Sequence, residues 1–173
     1  PSGRKLIQTM RDELLRSGFD PDLLLTGSTE DNALTTQSGI GITVIGLATE
    51  ERLRLGRTRP GDAVLCVGIP KNGVDVPYSE YDSDIATIRT VLTLAGMEEV
   101  HEILPVGSKG ALYEANELAR QVGHEFRPVE GQLPIDLLIS AGSSTAVLAS
   151  VGPESIPAVS QAVTVPVHHI GVI

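Results

Sequence analysis

Tryptophan is absent from this chain, aromatic residues make up 3% of it, and Cys66 is its one cysteine. So few rings leave few platforms on which single-stranded bases can stack. A lone cysteine excludes an internal disulfide framework and every multi-cysteine zinc or iron–sulfur site. In the run AVLCVGI it reads as a small buried hydrophobe. Basic residues are also scarce, 13 Lys and Arg against 22 Asp and Glu, for a net charge of -9 and a pI of 4.8. Nucleic-acid binding relies on neutralising phosphates with basic groups, so that balance argues against a polyanion partner. No apolar run approaches the roughly 18 uncharged residues of a membrane span. The start lacks the basic-then-apolar layout of a secretory signal, and the expected location is cytoplasmic, with no membrane partner.

What is present is the material of a packed globule: 173 residues, 41% hydrophobic, with mean hydropathy +0.11. That length suits one substantial domain, or a small domain with part of another. Leu6, Ile7, Met10, Leu14 and Leu15 make a helical stripe over 4–16, stopped by Gly18 and the Asp20-Pro21 pair. Gly39 to Ala48 reads as a strand with apolar residues on both faces, and Pro60-Gly61-Asp62 turns the chain into a second strand, Ala63 to Ile69. After the Lys71-Asn72-Gly73 turn, the polar segment 74–83 has no period and is expected to hold the domain boundary. Asp82 or Ser83 is expected to cap a helix carrying Ile85, Ile88, Val91, Leu92 and Ala95 and ending at Gly96. A strand over 99–104 follows, then a helix with Ala111, Leu112, Ala115, Leu118, Ala119 and Val122 on one face and Gly123 at its end. Short strands are expected over 124–129, 144–151 and 166–173, with a helix over 154–163 opened by Pro153. Helices alternating with strands predict an α+β fold, a mixed sheet with helices packed on it.

Two loops are candidates for chemistry. In Thr26-Gly27-Ser28-Thr29-Glu30-Asp31-Asn32, adjacent acids beside hydroxyls offer magnesium the hard oxygen ligands it prefers, and amides near Gly27 can approach a phosphate. A polar turn rich in capping residues is the plainer alternative. In Gly107-Ser108-Lys109-Gly110, the orphan amides and positive dipole end of the next helix suit an anion. The G-x-x-x-x-G-K-[ST] spacing is missing, so it is no Walker loop, and an ordinary strand-to-helix turn is the alternative. Gly39, Gly41 and Gly46 miss the dinucleotide spacing and lie within a predicted strand. The Arg52, Arg54, Arg57 and Arg59 run reads as a solvated link rather than a phosphate clamp. Glu80, Asp82 and Asp84 are expected to favour the first turn of the following helix. His168 and His169 are adjacent, so on a strand they face opposite sides and do not share a metal. His101 and His124 are isolated and read as structural. No nucleophilic triad can be argued from spacing.

The pieces TGSTEDN, RPGDAVLCVGIP, LPVGSKGALYEANELA and LLISAGSSTAVLASV, in that order, resemble the superfamily of aminoimidazole ribonucleotide synthetase, which includes thiamine-monophosphate kinase, selenophosphate synthetase and the hydrogenase maturation dehydratase. The chain looks closest to the alpha-ribazole kinase branch. The resemblance implies an ATP- and Mg2+-dependent phosphotransferase acting on a small-molecule substrate. It also implies a homodimer built through strands of the first domain. On that pattern residues 1–73 are part of an N-terminal ATP-binding and dimerisation domain, and 74–173 a C-terminal domain that closes over the substrate. Glu30 and Asp31 would hold magnesium, while Gly27, Ser28, Thr29, Gly107, Ser108, Lys109 and Gly110 would meet phosphate or substrate. Catalytic residues are not assigned. The upstream acidic segment of the family is missing, so a fragment of a longer protein or a shortened relative is expected. The alternatives are another activity of the superfamily, or a non-catalytic ligand-binding or dimerisation module.

Overall fold

The computed structural model describes residues 2–29, 36–37 and 39–173. It divides into two compact units, Pro1–Ala48 and Thr49–Ile173. In the first, α1 (Ser2–Arg16) follows the predicted stripe. It ends in a Schellman turn: Gly18 takes φ +85°, its N–H reaches the Leu15 carbonyl at 3.0 Å, and the Phe19 N–H reaches that of Leu14 at 2.9 Å. Such an ending needs a left-handed residue, which is why glycine stands there. Asp20 then caps a short α2 (Pro21–Leu24) by accepting from the Asp22 N–H at 2.9 Å, with Pro21 in its first turn. The expected strand over Gly39 to Ala48 is not formed. These residues have no regular structure and are exposed, Val44 at 90% and Leu47 at 101%, with no ladder to another strand among the described residues. Composition suited a strand, but pairing requires a second backbone.

The second unit holds a five-stranded sheet in the order β2-β4-β1-β5-β3. Its strands are β1 (Ala63–Val67), β2 (Val100–Pro105), β3 (Arg127–Pro128), β4 (Val147–Val151) and β5 (Val167–Val172). Every pairing is antiparallel, so the α+β class holds while the expected mixed sheet does not. The continuous apolar runs of β1 and β4 have another cause, burial on both faces. On one face Leu65, Val67, Val147, Ala149 and Val151 meet Leu94 of α3 (Ile88–Gly96) and Val159 of α5 (Ile156–Ala162). On the other, Val64, Cys66, Leu148 and Ile170 meet α4 (Gly110–Gln121) through Ala111, Ala115, Leu118 and Ala119. Three alanines at i, i+4 and i+8 let that helix lie close to the sheet.

The boundary expected at 73/74 differs from the observed division after Ala48. β1, placed by sequence in the first domain, sits between β4 and β5 at the centre of the second unit's sheet. The link leading into β1 is held by Glu102, which is 1% exposed. Its carboxylate accepts from the N–H groups of Gly56 (2.9 Å), Arg57 (3.0 Å) and Thr58 (3.1 Å) and from the Thr58 hydroxyl (2.9 Å). Because the Thr58 proton points to the carboxylate, the Ser150 hydroxyl 2.9 Å away is the donor to Thr58 Oγ1. α3 is capped by Thr87 in a capping box with Thr90, not by Asp82 or Ser83. No helix among the described residues is long and apolar enough to cross a membrane.

Candidate functional site

Register gathers the loops of the second unit at one end of the sheet. Val67 pairs with Val147 and Val167, and Val147 pairs with Pro105, so the chain leaves or enters there at 68, 106, 146 and 166. Gly68 is the crossing point. It takes φ +87°, its N–H donates to the Pro166 carbonyl at 2.8 Å, and a Cβ there would fall 2.8 Å from both Ala86 N and Thr145 O. Only glycine lets three backbones approach so closely. Beside it the Ile69 N–H donates to the Asp84 carbonyl and the Ala86 N–H to the Thr145 carbonyl, both at 2.7 Å.

This clamp seats Lys71. Its N–H donates to Thr145 Oγ1 at 2.8 Å, and its ammonium lies 2.8 Å from Asp84 Oδ1 and 3.0 Å from Asp82 Oδ2. Hydrogen bonds to Asp84 and then Asp82 push the Lys71 pKa upward. The Lys71 ammonium, followed by the Ser79 hydroxyl, holds Asp82 below the usual carboxylate range. The acids at 82 and 84 therefore do not favour the first turn of α3, which begins at Ile88, but bind a nearly buried lysine. Neither spacing nor periodicity pairs Lys71 with them, since the segment between is irregular.

Gly107, Ser108, Lys109 and Gly110 lie at the same end, where β2 turns into α4. Gly110 has φ +83°, and a Cβ on it would meet Leu137 O at 2.7 Å and the Leu138 carbonyl carbon at 2.8 Å. The loop before β4 is tied over the helix start: the Leu112 N–H donates to Leu137 O at 2.9 Å and the Ala141 N–H to Gly107 O at 3.0 Å. One of the helix's orphan amides, expected for an anion, is thus taken by a carbonyl. Ser108 and Lys109 are exposed, with the Lys109 ammonium 4.0 Å above the Tyr113 ring centroid. Ser144, also exposed, holds φ +56°, a left-handed setting uncommon for a residue with a side chain. Ser144 falls within the LLISAGSSTAVLASV piece of the resemblance, to which the sequence alone assigns no role.

Gly27, Ser28 and Thr29 are exposed residues of the first unit following α2. Thr29 rests against Gly3 at the start of α1, where a Cβ would come within 2.5 Å of the Thr29 methyl. Glu30 and Asp31 lie outside the described residues. Among the described residues no group of three His, Cys, Asp or Glu is placed to hold a metal. His168 and His169 are successive residues of β5, and His169 Nε2 lies 3.0 Å from the Gly171 carbonyl.

No protein-family model matches the sequence, nor does any curated protein. Solved structures do match. The hydrogenase maturation protein HypE in complex with ATP aligns at TM-score 0.53 and 18% identity over 68% of this chain and 43% of that one. HypE from E. coli aligns at TM-score 0.55 and 17% identity over 68% of this chain and 45% of that one. The chain thus spans less than half the length of these proteins. Neither structure bears on the alpha-ribazole kinase branch. The chain shares the α+β fold of HypE over the aligned part.

Proposed function

We propose that this chain is part of an ATP-dependent phosphotransferase related to aminoimidazole ribonucleotide synthetase, acting on a small nucleoside-like or heterocyclic alcohol, with alpha-ribazole the first substrate to try. One observation carries the reading. The Gly107–Gly110 loop with Lys109, the loop bearing Ser144, and the Lys71 clamp all open at a single end of the sheet. Hydroxyl and ammonium groups on a rigid platform are what positioning a phosphoryl group requires. The shared fold with HypE, a protein solved with ATP, adds support.

Ser108 and Lys109, exposed at the start of α4, suit a phosphate group. ATP, when bound, supplies the phosphoryl group; Lys109 neutralises its charge and Ser108 donates a hydrogen bond. The described residues do not suit magnesium, because Asp82 and Asp84 are already engaged by Lys71. Glu30 and Asp31 are the proposed ligands, and no step is routed through them. The second reading, a non-catalytic binding or dimerisation module, is favoured by the exposed apolar stretch Gly39–Ala48.

Calorimetric titration of ATP into the chain, with and without Mg2+, separates the two. The kinase reading expects saturable binding that Lys109→Ala weakens about tenfold, the value of one charge-assisted hydrogen bond. It further expects Glu30→Ala to remove the magnesium dependence. Absence of binding favours the module. We also propose a homodimer, supported by the unpaired apolar stretch Gly39–Ala48. Sedimentation of Val44→Lys as a monomer beside a dimeric parent would agree; a monomeric parent would not.

A further inference from the structure

A groove of 280 Å³ lies at the other end of the sheet, formed by the link into β1 and the start of β2. The β2 strand of six residues separates the ends by about 17 Å. Arg54, Arg57, Arg59 and His101 line it, with Glu51 and Glu98. Two of its arginines, Arg54 and Arg57, are fixed through backbone carbonyls, and Arg57 also interacts electrostatically with Glu51. Arg54 Nη1 donates to the carbonyls of Met97 (2.9 Å) and Val100 (2.7 Å), and Arg57 donates through Nε and Nη2 to those of Leu53 and Glu50, both at 3.2 Å. A guanidinium held by neutral carbonyls is preorganised yet keeps its charge. The Arg59 guanidinium has no partner among the described residues.

His101 is aimed by two devices. The register of β2 against β4 shifts between Val100 and Glu102, which leaves His101 as the extra residue of a β-bulge. Bulges re-aim side chains. Its Nδ1 then lies 2.7 Å from Oδ2 of Asp62, which is 3% exposed and also accepts from the Arg59 N–H at 2.8 Å. A carboxylate on one ring nitrogen sets the orientation and leaves Nε2 to the groove. Among the described residues Nε2 has no partner.

We propose that this groove binds the phosphate group of a small phosphate ester, held by the Arg59 and Arg57 guanidinia, with His101 Nε2 accepting from a phosphate hydroxyl or, as imidazolium, donating to a phosphate oxygen. Among the lining side chains three arginines stand against two glutamates, and the adjacent Asp62 carboxylate is offset when His101 is protonated, which leaves a surplus of one positive charge in that state. That surplus suits one phosphate group and not a polyanion, for which Glu51 and Glu98 would be repulsive. The fork of an arginine matches phosphate oxygens in pairs.

The test is amide and imidazole NMR of the whole chain titrated with inorganic phosphate, and separately with acetate. Saturable shifts centred on 54–59 and the His101 ring, weakened about tenfold by Arg59→Ala, are expected. Arg59 is exposed, so its loss leaves the fold intact; His101→Gln keeps a donor toward Asp62 and is expected to weaken binding while preserving the β1 amide pattern. Shifts centred on 107–110, or binding reduced equally by Lys109→Ala, would overturn the site. Equal affinity for acetate would overturn the choice of phosphate, and so would unsaturable shifts.

Discussion

Replacing Glu102 with glutamine tests the argument that a buried carboxylate organises the link into β1. Oε2 accepts three of the four bonds, from the Arg57 and Thr58 amides and the Thr58 hydroxyl, and Oε1 accepts one, from the Gly56 amide. Glutamine keeps most by turning its carbonyl oxygen to the Oε2 side. Its NH2 then faces the Gly56 N–H, donor against donor. Three bonds pass from a charged to a neutral acceptor, a loss of about 1 kcal/mol each, and one donor is orphaned, though Gly56 is exposed enough to turn toward water. The sum is about 3 kcal/mol. Glu102→Ala orphans the buried Thr58 donors as well and costs more. Because the chain has two compact units, the assay is urea unfolding followed through the β1 and β4 amide signals rather than a whole-chain probe. With a typical urea dependence of about 1–3 kcal/mol per molar, Glu102→Gln lowers the midpoint by about 1–3 M. A loss below about 1 kcal/mol, with the amide shifts of 56–58 unchanged, would mean that the carboxylate does not hold the link.

Three further outcomes are expected. Gly110→Ala destabilises the second unit by more than the roughly 1–3 kcal/mol of a left-handed alanine, because it also meets Leu137 O; Gly131→Ala, at φ +99° with nothing within 4 Å, bears only the backbone cost, and equal melting points would refute the close approach. Burial pushes the Cys66 thiol up to about 12 from 9.0, so iodoacetamide modifies it only through unfolding, and rapid labelling of the native chain would contradict this. Both states are protonated below pH 9; above it the unfolded thiol ionises first, so stability falls as pH rises toward 12, and Cys66→Ala flattens that fall between pH 9 and 11. For the Lys71 cluster the signs are opposite at the two limits: the depressed Asp82 contributes stability above about pH 4 that is lost on acidification, and the raised Lys71 contributes below 10.5 and loses it above. Unfolding midpoints from pH 5 to 3 should therefore fall more steeply in the parent than in Lys71→Met; parallel curves would remove the pair from the account.

The two ends of the sheet differ in how far they could be read in advance. α4 was legible because its stripe, its opening Gly110 and its closing Gly123 are all local signals, and the loop before it follows from them. The runs of β1 and β4 were legible as buried strands. Their order was not, since antiparallel pairing of 63–67 with 147–151 joins residues far apart in the chain. The bond of Lys71 to Asp82 and Asp84 crosses an irregular loop, and His101 owes its direction to a bulge that no residue preference marks. Its isolation in sequence suggested a structural histidine, and the bond to Asp62 partly agrees; what spacing could not reveal is the row of arginines that the same link brings beside it.

The stretch Gly39 to Ala48 shows the limit from the opposite direction. Ile40, Ile42, Val44, Ile45 and Leu47 carry every local mark of a strand, yet all are more than half exposed and without a ladder among the described residues. Propensity describes how a side chain fits a pleated, half-buried surface and supplies neither the neighbouring backbone nor the burial. An extended, unpaired apolar edge is a template for another strand, and natural chains cover such edges or break them with charge or proline. None of those devices stands between Gly39 and Ala48 in the sequence. The proposed second copy would cover it by pairing backbone to backbone, which a single charge at Val44 would oppose.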